Sequence, residues 1–325
     1  MKFLSIIYVL FLTSIGDCKT INLNDLEERN GSYYDSNSNA LITGQLITKY
    51  SSGKIHTIMN FNQGILHGAY EEYNIDGKLL EKGYYKNGKL NGTYITYWDE
   101  YNTMNSGDSV VNRVPKNSKN NESYWHNALS KTIGRQVTIE TYKDGILNGL
   151  FEEYYPNGQL KTKVIYKNGR KDGLYESYWN NGQEKAKNIY KNGIIKDGTY
   201  KWFWKNSQLH LVRTYKNGKL EGLYKAFYKH GQLRNTGEYS NNYKNGIFES
   251  YWFNGQLRGK EIFRYGIRVD GDFISYWYNG KILERGTYKN GKLEGAYYLF
   301  FKNGKLELQK YYNNGVEISC EGHCD

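Results

Sequence analysis

Polar and apolar residues alternate through short stretches of this chain. Between residues 160 and 166, Leu160, Thr162, Val164 and Tyr166 fall on one side, with Lys161, Lys163 and Ile165 on the other. That is the two-residue period of a half-buried β-strand. Leu79 with Tyr85, Leu209 with Tyr215 and Ile282 with Tyr288 keep the same six-residue separation, so the strand recurs. Another strand precedes each of these. In the stretch from Gly173 to Trp179 the alternation puts Tyr175 and Trp179 on one face and Tyr178 on the opposite one. Fifteen of the 36 glycines follow asparagine and five follow aspartate, which writes most turns in one chemistry. Asn-Gly suits a type I′ turn because both central residues need positive φ. Strands joined by so few residues run antiparallel.

The phrase Gly-x-Tyr-x-x-Tyr/Trp, Asn-Gly-x-Leu, Tyr-Lys-Asn-Gly starts at Gly44, Gly68, Gly92, Gly149, Gly173, Gly198, Gly222, Gly246, Gly271 and Gly295. Subtracting neighbours gives steps of 24, 24, 57, 24, 25, 24, 24, 25 and 24. A fixed period of this length marks an array whose units bury one another. The expected fold is all-β, an elongated single-layer antiparallel meander of about ten stacked β-hairpins over residues 42–318, with a lead-in at 19–41. The 57-residue step carries 33 extra residues, an insertion over about 99–139. Its first half is polar and reads as a loop, and a long insertion of this kind is entropically cheap.

Composition agrees with a sheet. Aromatic residues make up 16% of the 325, tyrosine alone supplies 34, and proline occurs only at Pro115 and Pro156. A mean hydropathy of −0.79 fits one layer with a large polar surface. The net charge of +11 gathers beside turns, at Lys86, Lys89, Lys143, Lys167, Lys216, Lys219, Lys289 and Lys292, where it would discourage pairing between sheet edges.

The first residues read as a secretory signal peptide over 1–18: Lys2, an apolar run from Phe3 to Leu12, then Thr13, Ser14 and Gly16. The mature chain is therefore expected to be exported, whether secreted, periplasmic or attached to the cell surface. Asp17 before Cys18 argues against a lipid anchor there. In the tail of residues 319–325, Cys320 and Cys324 could close a short disulfide, and with His323 alone beside them they fall short of the four ligands of a structural zinc site.

Three segments carry a family resemblance: residues 173–182 (Gly-Leu-Tyr-Glu-Ser-Tyr-Trp-Asn-Asn-Gly), 215–224 (Tyr-Lys-Asn-Gly-Lys-Leu-Glu-Gly-Leu-Tyr) and 288–297 (Tyr-Lys-Asn-Gly-Lys-Leu-Glu-Gly-Ala-Tyr). The pattern resembles MORN repeats of the bacterial variant, over about residues 42–316. The resemblance implies β-hairpin stacks that bind or scaffold, lipid contact in some relatives, and antitoxin or immunity-type proteins that hold a toxin. A signal peptide sits awkwardly with a cytoplasmic antitoxin.

No motif of nucleophilic, phosphate-binding or dinucleotide-binding type is present, and the six histidines are scattered over different units. Glu71-Glu72, Glu152-Glu153, Glu176 and Glu249 recur at one place in the first strand, which suits pairing with lysine rather than acid and base work. The chain thus reads as a non-enzyme without cofactor or metal. Its leading partner is another protein, engaged by Tyr175 and the stripe of Trp179, Trp204, Trp252 and Trp277. The alternative is adhesion to anionic lipid or glycan, with Lys216, Lys219, Lys289 and Lys292 acting beside that stripe. Nucleic acid fits the charge but not export, and a homodimer stays open.

Overall fold

The computed structural model describes residues 19–20, 25–98 and 136–323. The expected signal peptide, most of the expected insertion and Cys324 lie outside them. No helix occurs among the described residues, and the repeats form an antiparallel β-meander, as the alternation requires. The chain divides into two compact units, one of residues 1–159 and 166–169, the other of 160–165 and 170–325.

In the first unit a small antiparallel sheet of Leu26–Arg29, Ser32–Asp35 and Ala40–Leu41 precedes the repeats. Leu26 and Tyr33 pack on a core of Ile42, Leu46, Met59 and Phe61, so this sheet closes the end of the array that would otherwise expose apolar side chains. One pairing departs from the expected pattern: Lys19–Thr20 runs parallel to Gly44–Lys49. Gln136–Lys143 pairs antiparallel with Gly92–Tyr97, so residues 136–139, expected within the insertion, stand in the second strand of the third repeat.

The second unit continues the same phrase from Arg170–Tyr178 and Glu184–Lys191 to Leu306–Asn313 and Val316–Gly322. Each hairpin carries a register shift near the end of its first strand, as between Ser177 and Tyr178, between Trp202 and Phe203, and between Ser250 and Tyr251. These bulges twist the strand at its end and release the next residue from the ladder.

The Asn-Gly pairs do not share one conformation, which corrects the sequence reading. Asn192 and Gly193 have φ of 50° and 83°, as a type I′ turn demands. At the opposite end of the hairpin Gly182 alone is left-handed, at 81°. There the Gly182 amide donates to the Trp179 carbonyl and the Trp179 amide to Gln183, a three-residue loop closed by a bulge. The pairs that open each phrase are not turns at all. Asp172-Gly173 lies inside the strand Arg170–Tyr178, where the Asp172 carboxylate accepts from the Asn192 amide. Asp197, Glu221, Asp270 and Glu294 do the same for Asn217, Asn241, Asn290 and Asn314.

Candidate functional site

The tryptophan stripe is engaged between repeats. The indole N–H of Trp179 donates to the Phe203 carbonyl at 3.0 Å, Trp204 to Phe227 at 3.2 Å, Trp252 to Tyr276 at 2.8 Å and Trp277 to Phe300 at 2.9 Å. Tyr50 and Tyr228 make the same bond through their hydroxyls. One face of three indoles is also covered: Lys185 lies over Trp179, Arg258 over Trp252, and the His210 ring packs on Trp204 at 3.7 Å. Burial, followed by the charges of Arg234 and Arg213, holds the His210 pKa below its ordinary value, so this imidazole sits neutral on the indole. A parallel row lies in the loops, where the amides of Asn181, Asn206, Asn254 and Asn279 donate to carbonyls of the next repeat.

The four lysines take a different place. Lys216 faces Lys219 and Lys289 faces Lys292 across type I′ turns, all exposed. Tyr175 belongs to neither row. It meets Tyr190 edge to face at 6.0 Å, with the Lys171 ammonium 4.5 Å above its ring. The expected pairing of the recurrent carboxylates is present on the opposite face, where Glu176 stands across from Lys187 and Glu249 across from Lys260.

Pairs like Tyr175 and Tyr190 define what we term the inner face. Tyr70 with Tyr85, Tyr200 with Tyr215, Tyr224 with Tyr239, Phe248 with Phe263 and Tyr297 with Tyr312 repeat them at 5.5–6.2 Å. Such edge contacts contribute about 0.5–1.5 kcal/mol each beyond area burial. Between the paired rings one position changes from unit to unit. In the second unit it is Asn188, Arg213, Gly237, Glu261, Gly286 and Lys310 in turn, each opposite the first ring of its pair. The glycines there make room: a Cβ at Gly286 would stand 2.9 Å from the Phe273 ring, and one at Gly237 would stand 2.6 Å from Phe248.

Carboxylates on this face are held by hydroxyls. In the first unit Tyr70 donates to Glu72, Tyr94 to Glu81 and Tyr142 to Glu140. Burial first, then these bonds, push all three phenols well above the ordinary tyrosine range. In the second unit Glu284 accepts from Ser275 and Tyr297, and Arg268 joins Glu261 to the Tyr288 hydroxyl. Around Gly259, where no side chain fills the sheet, lies an open groove of about 600 Å³, lined by Phe248, Phe273, Tyr288 and Tyr297 with Lys244, Arg268 and Glu284. Among the described residues no group of three acidic, histidine or cysteine side chains is placed to hold a metal ion.

Sequence reasoning missed the changing position, although a signal existed. Fifteen residues after the starting glycine, neighbouring repeats of the second unit carry different residues, while two residues after it nearly every repeat keeps an aromatic.

Seven segments match the MORN repeat variant model: residues 66–87, 147–168, 196–217, 220–241, 244–265, 269–290 and 293–314. The chain therefore carries at least seven MORN repeats of the variant type, and Arg170–Tyr178 with Glu184–Lys191 adds a hairpin of the same geometry. No curated protein matches this sequence. Solved structures similar to it include the crystal structure of TcdB2-TccC3-Cdc42, at 9% identity and a TM-score of 0.18 over 86% of this chain. Another is the Photorhabdus luminescens Tc holotoxin pore with the TccC3-D651A mutation, at 10% identity and a TM-score of 0.17 over 87%. The chain spans 15% of the first of those chains and 18% of the second.

Proposed function

We propose that the chain is a non-catalytic scaffold that holds another protein at the cell envelope or outside the cell. The observation carrying this reading is the division of labour on the inner face. Aromatic pairs and inter-repeat hydrogen bonds repeat with the period, whereas the residue between the rings changes from each repeat to the next, from Asn188 to Lys310. A purely structural face would repeat throughout. A face that varies at its centre, on a recurring aromatic frame, presents a changing series of polar, charged and empty positions along the array, and repeat arrays build extended binding surfaces in this way. The apolar N-terminal stretch read as an export signal supports the location. The toxin-holding role that the family resemblance implies is one form of this reading.

The test is a pull-down with residue 19 onward as bait, against envelope extract and host surface protein, at about 0.1 and about 0.5 M salt to straddle the screening range. Retention of a discrete protein at both salts is expected. Recovery of polyanions alone, lost at the higher salt, would move the function to the exposed lysine pairs at the turns.

A further inference from the structure

Two residues before the changing position, the inner face of the second unit carries another row that crosses every hairpin. Its members on the second strands are Ala186, Leu211, Asn235, Gly259, Glu284 and Leu308. Of these, Gly259 alone brings no side chain. Its neighbours are small as well, because it pairs with Ser250 on one side and Ser275 on the other. At ordinary strand spacing, the two steps from Ser250 to Ser275 open about 10 Å of the row. The groove of about 600 Å³ stands there, with Asn235 beyond Ser250 and Glu284 beyond Ser275. Small-molecule sites span roughly 300–1,000 Å³, so the space is of ligand size. Nothing in the fold asks for this glycine. Its backbone is not left-handed, and a Cβ would meet Ser275 at an ordinary 3.6 Å.

The polar groups of the groove have capacity to spare. Glu284 accepts from Ser275 at 3.0 Å and from Tyr297 at 2.8 Å, and a carboxylate takes about four such bonds. The Ser275 hydroxyl, its hydrogen given to Glu284, still offers lone pairs. Arg268 spends its guanidinium on Glu261 and the Tyr288 hydroxyl, yet it is 39% exposed and carries further N–H groups. The charges also balance. Arg268 pairs with Glu261 and Lys310 with Glu317, which leaves Lys244 and Glu284, one of each sign. Lys260 with Glu249, and Arg258 over Trp252, belong to the opposite face. A balanced groove favours neither an anion nor a cation. A purely apolar ligand would strip water from the serines and Glu284 without replacing it. An extended peptide would find no strand edge to join, because every strand beneath the groove is paired on both sides.

We infer that this groove is a binding site for a short neutral saccharide lying across the strands, with hydroxyls on Ser250, Ser275, Glu284 and Arg268 and C–H bonds against Phe273 and Tyr297. Each sugar hydroxyl both donates and accepts, which matches acceptors and donors set side by side. Sugar C–H groups carry slight positive charge and suit the negative faces of aromatic rings. The inference goes beyond the protein-holding reading and does not depend on it.

The test titrates the full chain calorimetrically with maltotriose, cellotriose and tri-N-acetylchitotriose, with hexaglutamine as the peptide arm and heparin as the anionic arm. The expected result is binding of at least one trisaccharide, with an affinity that moves less than about twofold between about 0.1 and about 0.5 M salt. Gly259→Leu gives this repeat the side chain that Leu211 and Leu308 give theirs, and should weaken binding about tenfold or more by filling the groove. Glu284→Gln should weaken it clearly, because an amide replaces one acceptor oxygen by a donor. Lys219→Gln, on an exposed turn, should leave the affinity within about twofold. Circular dichroism and melting of each variant establish folding. Should Gly259→Leu not fold, Gly259→Ala narrows the same space without a close contact and should show a smaller loss. Binding of no trisaccharide, equal binding by the folded Gly259 variant, or an equal loss in Lys219→Gln would each overturn the site. Gly259-dependent binding of hexaglutamine or heparin in place of the trisaccharides would overturn the choice of ligand. One further arm supports the site either way and names the source of the sugar. Elution of the partner from the pull-down by the trisaccharide places the sugar on that partner, and unaffected retention places it on free glycan.

Discussion

The indole N–H of Trp252 donates to the backbone carbonyl of Tyr276, 24 residues further on, at 2.8 Å. Trp98 occupies the corresponding place in an earlier repeat, yet its buried Nε1 has no partner among the described residues. Replacing each by phenylalanine therefore separates the bond from the ring. Trp252→Phe loses a hydrogen bond and strands a carbonyl, and should cost about 1–3 kcal/mol. Trp98→Phe removes an unsatisfied donor and should cost clearly less. Urea denaturation of both variants measures the difference, and equal losses would show that ring volume, not the bond, holds the repeats together.

Two glycines on the inner face make opposite demands. A Cβ at Gly286 would stand 2.9 Å from Phe273, whereas one at Gly259 would meet Ser275 at an ordinary 3.6 Å. Gly286→Ala should destabilise by about 1–3 kcal/mol through overpacking. Gly259→Ala should be near neutral, because reduced backbone freedom in the unfolded chain offsets any loss. Thermal melts of the pair check this, and a Gly259→Ala chain less stable than Gly286→Ala would contradict the packing.

Gly182, at φ 81°, closes the loop after Trp179. Gly182→Val should lower stability by about 1 kcal/mol or more, since a β-branched residue is strained in the left-handed region. An unchanged melting curve would mean that the loop has another conformation in solution.

Tyrosine ionisation sets an alkaline limit. The hydrogen bond to Glu71, then burial, raises Tyr73 to about 12. The bond to Glu249 does the same for Tyr251, and burial followed by Glu152 raises Tyr154 to about 12. A raised folded-state pKa gives stability that is whole below the unfolded value, near 10, and lost as pH climbs through the folded value. Stability should therefore fall between about pH 10 and about pH 12. Urea midpoints across that range, read beside tyrosinate absorbance, test it; a flat profile would remove these phenols from the account.

Much of this architecture was legible because it is periodic. Leu160, Thr162, Val164 and Tyr166 announced a strand with two faces, and the recurrence of Glu176 and Glu249 announced their lysine partners Lys187 and Lys260. Asn-Gly was less informative, because the same dipeptide serves as a type I′ turn at Asn192, a bulged loop at Asn181 and a strand segment at Asn148. Only the pairing register tells them apart. The tryptophans were visible as a stripe, but their acceptors are backbone carbonyls, which leave no trace in sequence. The changing position at Asn188 and Arg213 was hidden for a related reason. Its members lie 25 residues apart and stand out only by failing to repeat.

From Trp179 to Trp277 the row of side-chain bonds runs one way, each repeat giving a hydrogen to the one after it. A relay of this kind needs a terminator, because a final donor would be left with nothing to receive it. After Trp277 the position passes to Phe301, whose backbone amide still makes the local bond to Lys305 but whose ring offers no hydrogen. The array therefore has a polarity like that of a filament with distinct ends. Repeats added or removed in its interior preserve the relay, whereas one appended beyond Phe301 would receive no indole bond from the repeat before it.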